Sequence, residues 1–362
     1  MKKAIFQLHL WCGIAIGVYA FVIGLSGAVL MFRQDLQAWA YPQVFARPVP
    51  GFAPASPDVV VDELRTRFPE ERFSGIDYPT DRRGTFLAYL TRGNDFRAVF
   101  LDPSTGRFLG ELPKSGWIQR LQDLHFNLWA GPSGLTANGV GALFLMGMAL
   151  TGLVIAWPGS SSWPRAFVVD WSRGWKRVTW ELHRAVGAWT LILLAMWAVT
   201  GFYLAFPAPV RRLVNAVLPA GTPAAPPVSA HATAGQPPEL NALVQRAERE
   251  LPTAQVARVV VPATPAGTYD VVMAREVHGD WDGSDEVTLH FDATGTLVRV
   301  TDASVRSPAS RLITWFGLLH VGSFGGWLVK LAWAAFALAS PALFVSGYVM
   351  WWNRVVAPAL HR

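Results

Sequence analysis

The sequence has a single cysteine, Cys12, among 362 residues, so no disulfide can form within the chain. Charged residues are absent from four long stretches: Leu10–Phe32, Val140–Trp157, Ala185–Phe206 and Leu331–Trp352. No Gly-x-Gly-x-x-Gly run follows a strand-like segment, which leaves no flavin or nicotinamide fingerprint. The uncharged runs also contain no Asp or Glu to complete a multidentate metal site.

Hydrophobic residues make up 52% of the chain and its mean hydropathy is +0.28, too apolar for an ordinary soluble enzyme. Each of the four uncharged runs is long enough to cross a hydrocarbon core of roughly 30 Å, which predicts four transmembrane helices. With Met1–His9 inside, the segments 158–184 and 353–362 are inside too. Together these carry Lys2, Lys3, Arg165, Arg173, Lys176, Arg177, Arg184, Arg354 and Arg362 against Asp170 and Glu181. The long connections 34–123 and 207–311 are nearly balanced and are expected outside. The formal charge of +6 is then a topology signal and gives nucleic-acid binding no support. Met1-Lys2-Lys3 before an apolar run resembles a signal peptide, but the run is long and no small-residue cleavage site follows, so it reads as an uncleaved helix.

The expected organisation is transmembrane helix 1 over 1–33, an outer α+β domain over 34–116, and an interfacial His segment with helix 2 over 117–157. A cytoplasmic loop follows at 158–182, helix 3 at 183–206, a second outer domain at 207–310, an interfacial His segment with helix 4 at 311–352, and a cytoplasmic tail at 353–362. In the first outer segment, Ser56-Pro57-Asp58 opens a predicted helix through Phe68. Strands are predicted at Arg72–Tyr78, Thr85–Thr91 and Ala98–Asp102, closed by a turn from Asp102 to Gly106. The second outer segment repeats this plan after the Pro/Ala linker 219–238. It has a helix at Glu239–Leu251, strands at Ala257–Val261, Thr268–Ala274, Val287–Phe291 and Leu297–Thr301, and a turn from Asp292 to Gly295. Gly-rich breaks are expected at Gly131–Gly134 and Gly322–Gly326. The fold class is thus a membrane protein of four transmembrane helices in two tandem halves, each carrying a small α+β domain.

Four histidines recur with this duplication. His9 precedes Ser26-Gly27 by 17 residues and His183 precedes Thr200-Gly201 by 17; His125 precedes Thr151-Gly152 by 26 and His320 precedes Ser346-Gly347 by 26. In helix 1, His9, Gly13, Gly17, Ala20, Gly24 and Gly27 share one face, which suits close helix packing or a flat ligand. Helix 3 keeps His183, Gly187, Ala198 and Gly201 at the matching offsets. Two halves related by an axis along the membrane normal bring equivalent histidines together, which predicts His9 with His183 inside and His125 with His320 outside. Two imidazoles facing across a planar cofactor make a bis-His b-type haem site, and two pairs call for two b-type haems. Zinc would want three or four ligands, and a c-type haem needs a Cys-x-x-Cys-His motif that one cysteine cannot supply. Arg33, Arg184, Arg120, Arg311 and Lys330 are candidate propionate partners; a topogenic or snorkelling role is the alternative for each. Phe126, Trp129 and Trp315 are candidates for the apolar surround of the outer site. His231, His278, His290 and His361 do not recur and receive no role. Cys12 lacks a counterpart in helix 3 and reads as core. The many Trp residues near the run ends, Trp157, Trp163, Trp171, Trp175 and Trp180 among them, suit an interfacial belt.

Leu8-His9 with Ser26-Gly27, Leu124-His125 with Thr151-Gly152, Leu182-His183-Arg184 with Thr200-Gly201, Leu319-His320 with Ser346-Gly347-Tyr348, Trp351-Trp352 and the two Asp-to-Gly turns together carry a resemblance. The chain resembles the PepSY-associated transmembrane family, including inner-membrane ferric-siderophore reductases of the FoxB type, over nearly its whole length. The resemblance implies two PepSY-like periplasmic domains on four helices in the bacterial inner membrane, bound haems, and electron delivery to ferric siderophores. The expected function is therefore haem-dependent reduction of a periplasmic ferric siderophore, releasing Fe(II), with electrons from a cytoplasmic or quinol donor that no motif specifies. A non-enzymatic anchored module that binds a peptide, protease or siderophore is the second reading, and a siderophore permease the third. The second leaves four repeated histidines without a purpose. The third lacks intramembrane charge to line a path for polar cargo.

Overall fold

In hydrocarbon a backbone can satisfy its own N–H and C=O groups as a helix, and the uncharged runs form helices that continue well into their polar flanks. A computed structural model describes residues 2–45, 54–80, 83–93, 95–157, 160–219, 227–229, 238–275 and 286–360. In chain order the elements are α1 (Lys2–Leu30), α2 (Arg33–Ala40), α3 (Pro57–Arg67), β1 (Arg72–Asp77), β2 (Phe86–Arg92), β3 (Asp95–Leu101), β4 (Phe108–Glu111), α4 (Trp117–Asn127) and α5 (Gly131–Ala156). There follow α6 (Trp175–Ala205), α7 (Pro207–Val217), α8 (Leu240–Glu250), β5 (Gln255–Val260), β6 (Tyr269–Ala274), β7 (Glu286–Phe291), β8 (Leu297–Asp302), α9 (Pro308–Val321), α10 (Gly326–Ala337) and α11 (Ala339–Trp351). Among the described residues, four helices are long and apolar enough to cross a membrane: α1, α5, α6 and a fourth continuing from Gly326 to Leu360 through α10 and α11. Each is longer than the uncharged run that predicted it, because absence of charge marks the hydrocarbon-facing part of a helix and not its hydrogen-bonded ends.

The chain divides into two compact units: a helical one (1–33, 117–218, 312–362) and a sheet one (34–116, 219–311). Residues 207–218, expected in the second outer domain, are grouped with the helices, and α7 occupies most of that stretch. Sequence reading missed α2 and the four-residue strand β4, both short, and α7, whose eleven residues were read as the lead into the second outer domain.

In the sheet unit the two α+β segments share one eight-stranded sheet of order β4-β3-β2-β1-β5-β6-β7-β8, where two separate small domains were expected. The seam is the antiparallel pair β1–β5, with Gly75 opposite Val260, Ile76 opposite Val259 and Asp77 opposite Arg258. A Cβ on Gly75 would stand 2.8 Å from the Val259 carbonyl oxygen, so a side chain there would push the seam apart. Asp77 accepts hydrogen bonds from Tyr89 Oη (2.6 Å) and from Arg258 Nε, joining both segments through one buried carboxylate. Burial, reinforced by that carboxylate, holds the Tyr89 phenol above its ordinary pKa, so it remains a donor. One core spans the seam: Val60 and Leu64 of α3, Leu243 and Ala247 of α8, and Phe86 and Phe291 of the sheet are all buried in it.

The helix starts reveal a further link. Ser56 caps α3 as expected, accepting from Asp58 N (3.2 Å), with Pro57 in the first turn. Asp58, however, caps the other helix: its carboxylate accepts from Leu240 N (2.8 Å) and Asn241 N (2.9 Å) of α8, whose own Glu239 makes no side-chain cap. The two Asp-to-Gly turns form as read. Asp102 Oδ1 accepts from Ser104 N and Thr105 N, Asp292 Oδ1 from Thr294 N and Thr296 N, and Gly106 and Gly295 take φ of 68° and 79°.

In the helical unit, α4 and α9 are the predicted His-bearing segments. The break after α9 runs through Gly322 and Gly326 as expected. The break after α4 falls earlier than expected: Gly131–Gly134 already belong to α5, and the chain turns at Leu128 and Trp129, which hold φ of 52° and 58°. Trp129 is held there by its indole, which donates to the Arg120 carbonyl (2.7 Å).

Candidate functional site

The helical unit gathers the four recurrent histidines into two pairs. At the N-terminal ends of α1 and α6, the His9 and His183 rings lie 6.4 Å apart, centroid to centroid, at 90° to each other. At the opposite ends of those helices, His125 of α4 and His320 of α9 lie 6.4 Å apart at 55°. Each element contributes one ring, and the partners lie far apart in sequence.

The Ser/Thr-Gly dipeptides, which the sequence showed only as repeated spacings, prove to be the immediate surroundings of these rings. Partners are exchanged between elements. His9 Nδ1 meets Thr151 Oγ1 of α5 at 2.9 Å, while His125 Nδ1 meets Ser26 Oγ of α1 at 2.9 Å. Likewise His183 Nδ1 meets Ser346 Oγ of α11 at 2.9 Å, and His320 Nδ1 meets Thr200 Oγ1 of α6 at 2.8 Å. A hydroxyl has one proton, and all four give theirs to a carbonyl one helical turn back: Val22 O, Gly147 O, Met196 O and Ala342 O at 2.7–2.8 Å. Each hydroxyl oxygen is therefore an acceptor toward the ring. All four histidines then carry their proton on Nδ1 and present an unprotonated Nε2. This is the tautomer that an Nε2 metal ligand requires, set by an outer hydrogen bond.

The glycine next to each hydroxyl makes room for the ring edge. A Cβ would stand 2.9 Å from His125 Cε1 at Gly27, 3.2 Å from His9 Cε1 at Gly152, 3.4 Å from His183 Cε1 at Gly347 and 3.6 Å from His320 Cε1 at Gly201. The other small residues of the α1 face divide differently. Gly17 receives the Phe344 ring, and Gly24 lies against Ser340, Pro341 and the Ala337 carbonyl, so these two serve helix packing.

Between α1, α5, α6 and α11 lies a cavity of about 330 Å³ whose lining includes His9, Gly13, Gly152, His183, Gly187 and Gly347 and is predominantly apolar. Its size falls within the usual range for small-molecule sites, roughly 300–1,000 Å³. Among the described residues, no group of three or more His, Cys, Asp or Glu is placed to hold a metal ion, so each pair offers two imidazoles and no third ligand. Two metal–imidazole bonds of about 2.0 Å, with about 1.1 Å from each nitrogen to its ring centre, would set opposed rings about 6.2 Å apart. The observed 6.4 Å at both pairs, the free Nε2 atoms and the glycine cradle fit a bis-His metal–macrocycle such as haem.

The candidate cations distribute unevenly. Arg184 lines the cavity, where its Nη2 donates to Val168 O (2.8 Å) and its guanidinium lies over the Trp180 ring at 4.9 Å. Arg33 donates to Gln122 Oε1 of α4 (2.9 Å), one turn before His125. Arg120 is exposed, Lys330 is buried in α10, and Arg311 is held within the sheet unit by the Arg306 and Ser304 carbonyls. Phe126 packs edge-on against the His125 ring (6.1 Å), whereas Trp315 lies against Phe324 (5.9 Å). Cys12 is half-buried and unpaired. His290, on β7, bonds to Asp270 Oδ1 (2.7 Å) and Thr301 Oγ1 (3.0 Å) within the sheet. His231, His278 and His361 lie outside the described residues.

Sequence comparison bears on this arrangement over nearly its full length. Residues 6–354 match the family described as the PepSY-associated TM region. The chain belongs to the PepSY-associated transmembrane family. Together with the four apolar helices, membership makes it a membrane protein with α+β regions. No curated protein matches the chain. The family match runs from within α1 to beyond α11, so all four histidines and their four hydroxyl partners fall inside it.

Proposed function

We propose that this PepSY-associated transmembrane protein is a di-haem electron conduit of the inner membrane that reduces a ferric siderophore outside and so releases iron as Fe(II). The observation that carries the reading is the set of four histidines in two facing pairs, every one with Nδ1 engaged by a Ser or Thr hydroxyl and, among the described residues, no hydrogen-bond partner on Nε2. Haem bound in each pair would supply one-electron transfer. The protein's part is to hold and shield it. His9 and His183 would ligate at one end, His125 and His320 at the other, and the hydroxyls of Thr151, Ser346, Ser26 and Thr200 fix ring orientation. The apolar lining between α1, α5, α6 and α11 excludes water. A hard-oxygen chelator that suits Fe(III) holds Fe(II) less firmly, so reduction alone suffices for release and no acid–base residue is required.

Supporting the topology are the Lys/Arg excess of the segments 1–9, 158–184 and 353–362, which would put both termini in the cytoplasm, and the recurrence of every His–hydroxyl contact in both halves, which suggests tandem duplication. The sheet unit would then stand in the periplasm. An absorbance spectrum of the purified, dithionite-reduced protein tests the reading: b-type bands at about two haems per chain are expected. A folded but colourless protein would overturn it. Changing His125 or His320 to Ala should remove one haem and the reduction of the acceptor together, and leave the haem on His9 and His183.

A further inference from the structure

Two buried nitrogens on different helices remain to be explained. Among the described residues, Arg184 Nε and Trp351 Nε1 are buried side-chain nitrogens without a hydrogen-bond partner. Leaving a buried donor unpaired is costly, and native interiors rarely do so without a ligand or water to complete the site. Both residues line the cavity between α1, α5, α6 and α11, and both stand one position or one turn beyond a site residue, Arg184 after His183 and Trp351 four residues after Gly347. A second cation, Arg354, lines the same cavity with its guanidinium over the Phe6 ring at 5.2 Å.

All three are donors, and two carry permanent positive charge. The rest of the lining is predominantly apolar. The cavity is therefore a mainly apolar slot whose lining includes three N–H-bearing side chains with no acceptor among the three. Arg184 is also braced for this task. Its Nη2 bond to Val168 O and its place over Trp180 fix the guanidinium plane, so that Nε is presented in one direction.

We infer that Arg184 Nε and Trp351 Nε1 receive the carboxylate edge of the planar ligand held by His9 and His183, and so bind it in a single orientation. This rests on the haem reading above and adds the direction in which the ligand enters: its anionic edge toward Arg184, Trp351 and Arg354, its apolar edge toward the middle of the bundle. Of the five cations singled out in the sequence, this selects Arg184 for the His9–His183 site, and it adds an uncharged donor, Trp351, that charge alone could not have suggested.

The test compares haem with its dimethyl ester, in which both carboxylates are neutralised, in full-length H125A protein stripped of cofactor, so that only the His9–His183 site is filled. H125A is expected to bind haem at least about tenfold more tightly than the ester, the scale of a hydrogen bond to a charged group. Adding W351F, or R184Q, should bring the two affinities together mainly by weakening haem, with the ester little changed. H125A protein that binds both compounds equally would overturn the inference while leaving the haem reading intact, and an anionic lipid headgroup on these donors would give this same result. H125A protein that binds neither would overturn the haem reading itself. Because Trp351→Phe keeps the ring, a folding defect would show as loss of ester binding too, and R184K, which keeps the charge but not the fork, then serves as the second variant: an unchanged preference for haem in R184K would overturn the role of Nε.

Discussion

Thr200→Val removes a hydroxyl and keeps its volume, and so isolates what the hydroxyl does for His320. The ring would lose the acceptor that fixes its proton on Nδ1, and the partners of metal-bound histidines typically contribute 10–100-fold in affinity. We expect haem retention at the His125–His320 pair to fall by about that factor in Thr200→Val and in Ser26→Ala, with His9–His183 unaffected. Thr151→Val and Ser346→Ala should do the converse. The glycines give a graded series. Alanine at Gly27 brings a Cβ to 2.9 Å from His125, and at Gly201 only to 3.6 Å from His320. Haem content of the Ala variants should therefore recover in the order Gly27, Gly152, Gly347, Gly201; equal losses at all four would show that ring packing does not govern the site. At this scale the pairing of histidines was legible because the same offsets recur. The hydroxyl partners were not: His9 and Thr151 are 142 residues apart, and spacing cannot say that Ser26 serves His125 when His9 shares its helix.

The elements were legible in proportion to their length and regularity. The four spanning helices, α3 with its Ser56 cap, α8 and seven of the eight strands stand within a few residues of where periodicity places them. What failed was short or crossed between elements. β4 has four residues, and the turn after α4 uses Leu128 and Trp129 in a left-handed conformation that sequence rules assign to glycine. Asp58 is the clearest case. Its position marks it as first-turn residue of α3, yet its bonds run to α8, 182 residues away. Asp58→Ala should therefore loosen α8 more than α3, by about 1–2 kcal/mol for the lost cap. Amide hydrogen exchange along Leu240–Glu250 measures this; unchanged protection there, with loss confined to Pro57–Arg67, would contradict it.

At the scale of the molecule, the joined sheet is what the sequence concealed. Strand patterns report alternation along a segment, and nothing in them says that β1 will find β5 across about 180 residues. Because one core and one buried carboxylate span the seam, the two segments should unfold together. Asp77→Ala leaves Arg258 and Tyr89 without their shared acceptor and is expected to raise hydrogen exchange in β2 and β6 alike. Exchange that rises on the β2 side alone would mean two independent folding units. The exchange of partners among the helices also has a consequence for how the chain is made. Ser26 and His125 are both present once 125 residues have been synthesised, and His9 gains Thr151 soon after, but His320, which completes the outer pair, and Ser346, the hydroxyl partner of His183, emerge last. Neither site is finished during translation of the first half: the outer one waits for His320 and the inner one for Ser346, so on the haem reading above a chain cut between them would be expected to keep the outer site whole and to lack only the hydroxyl partner of His183.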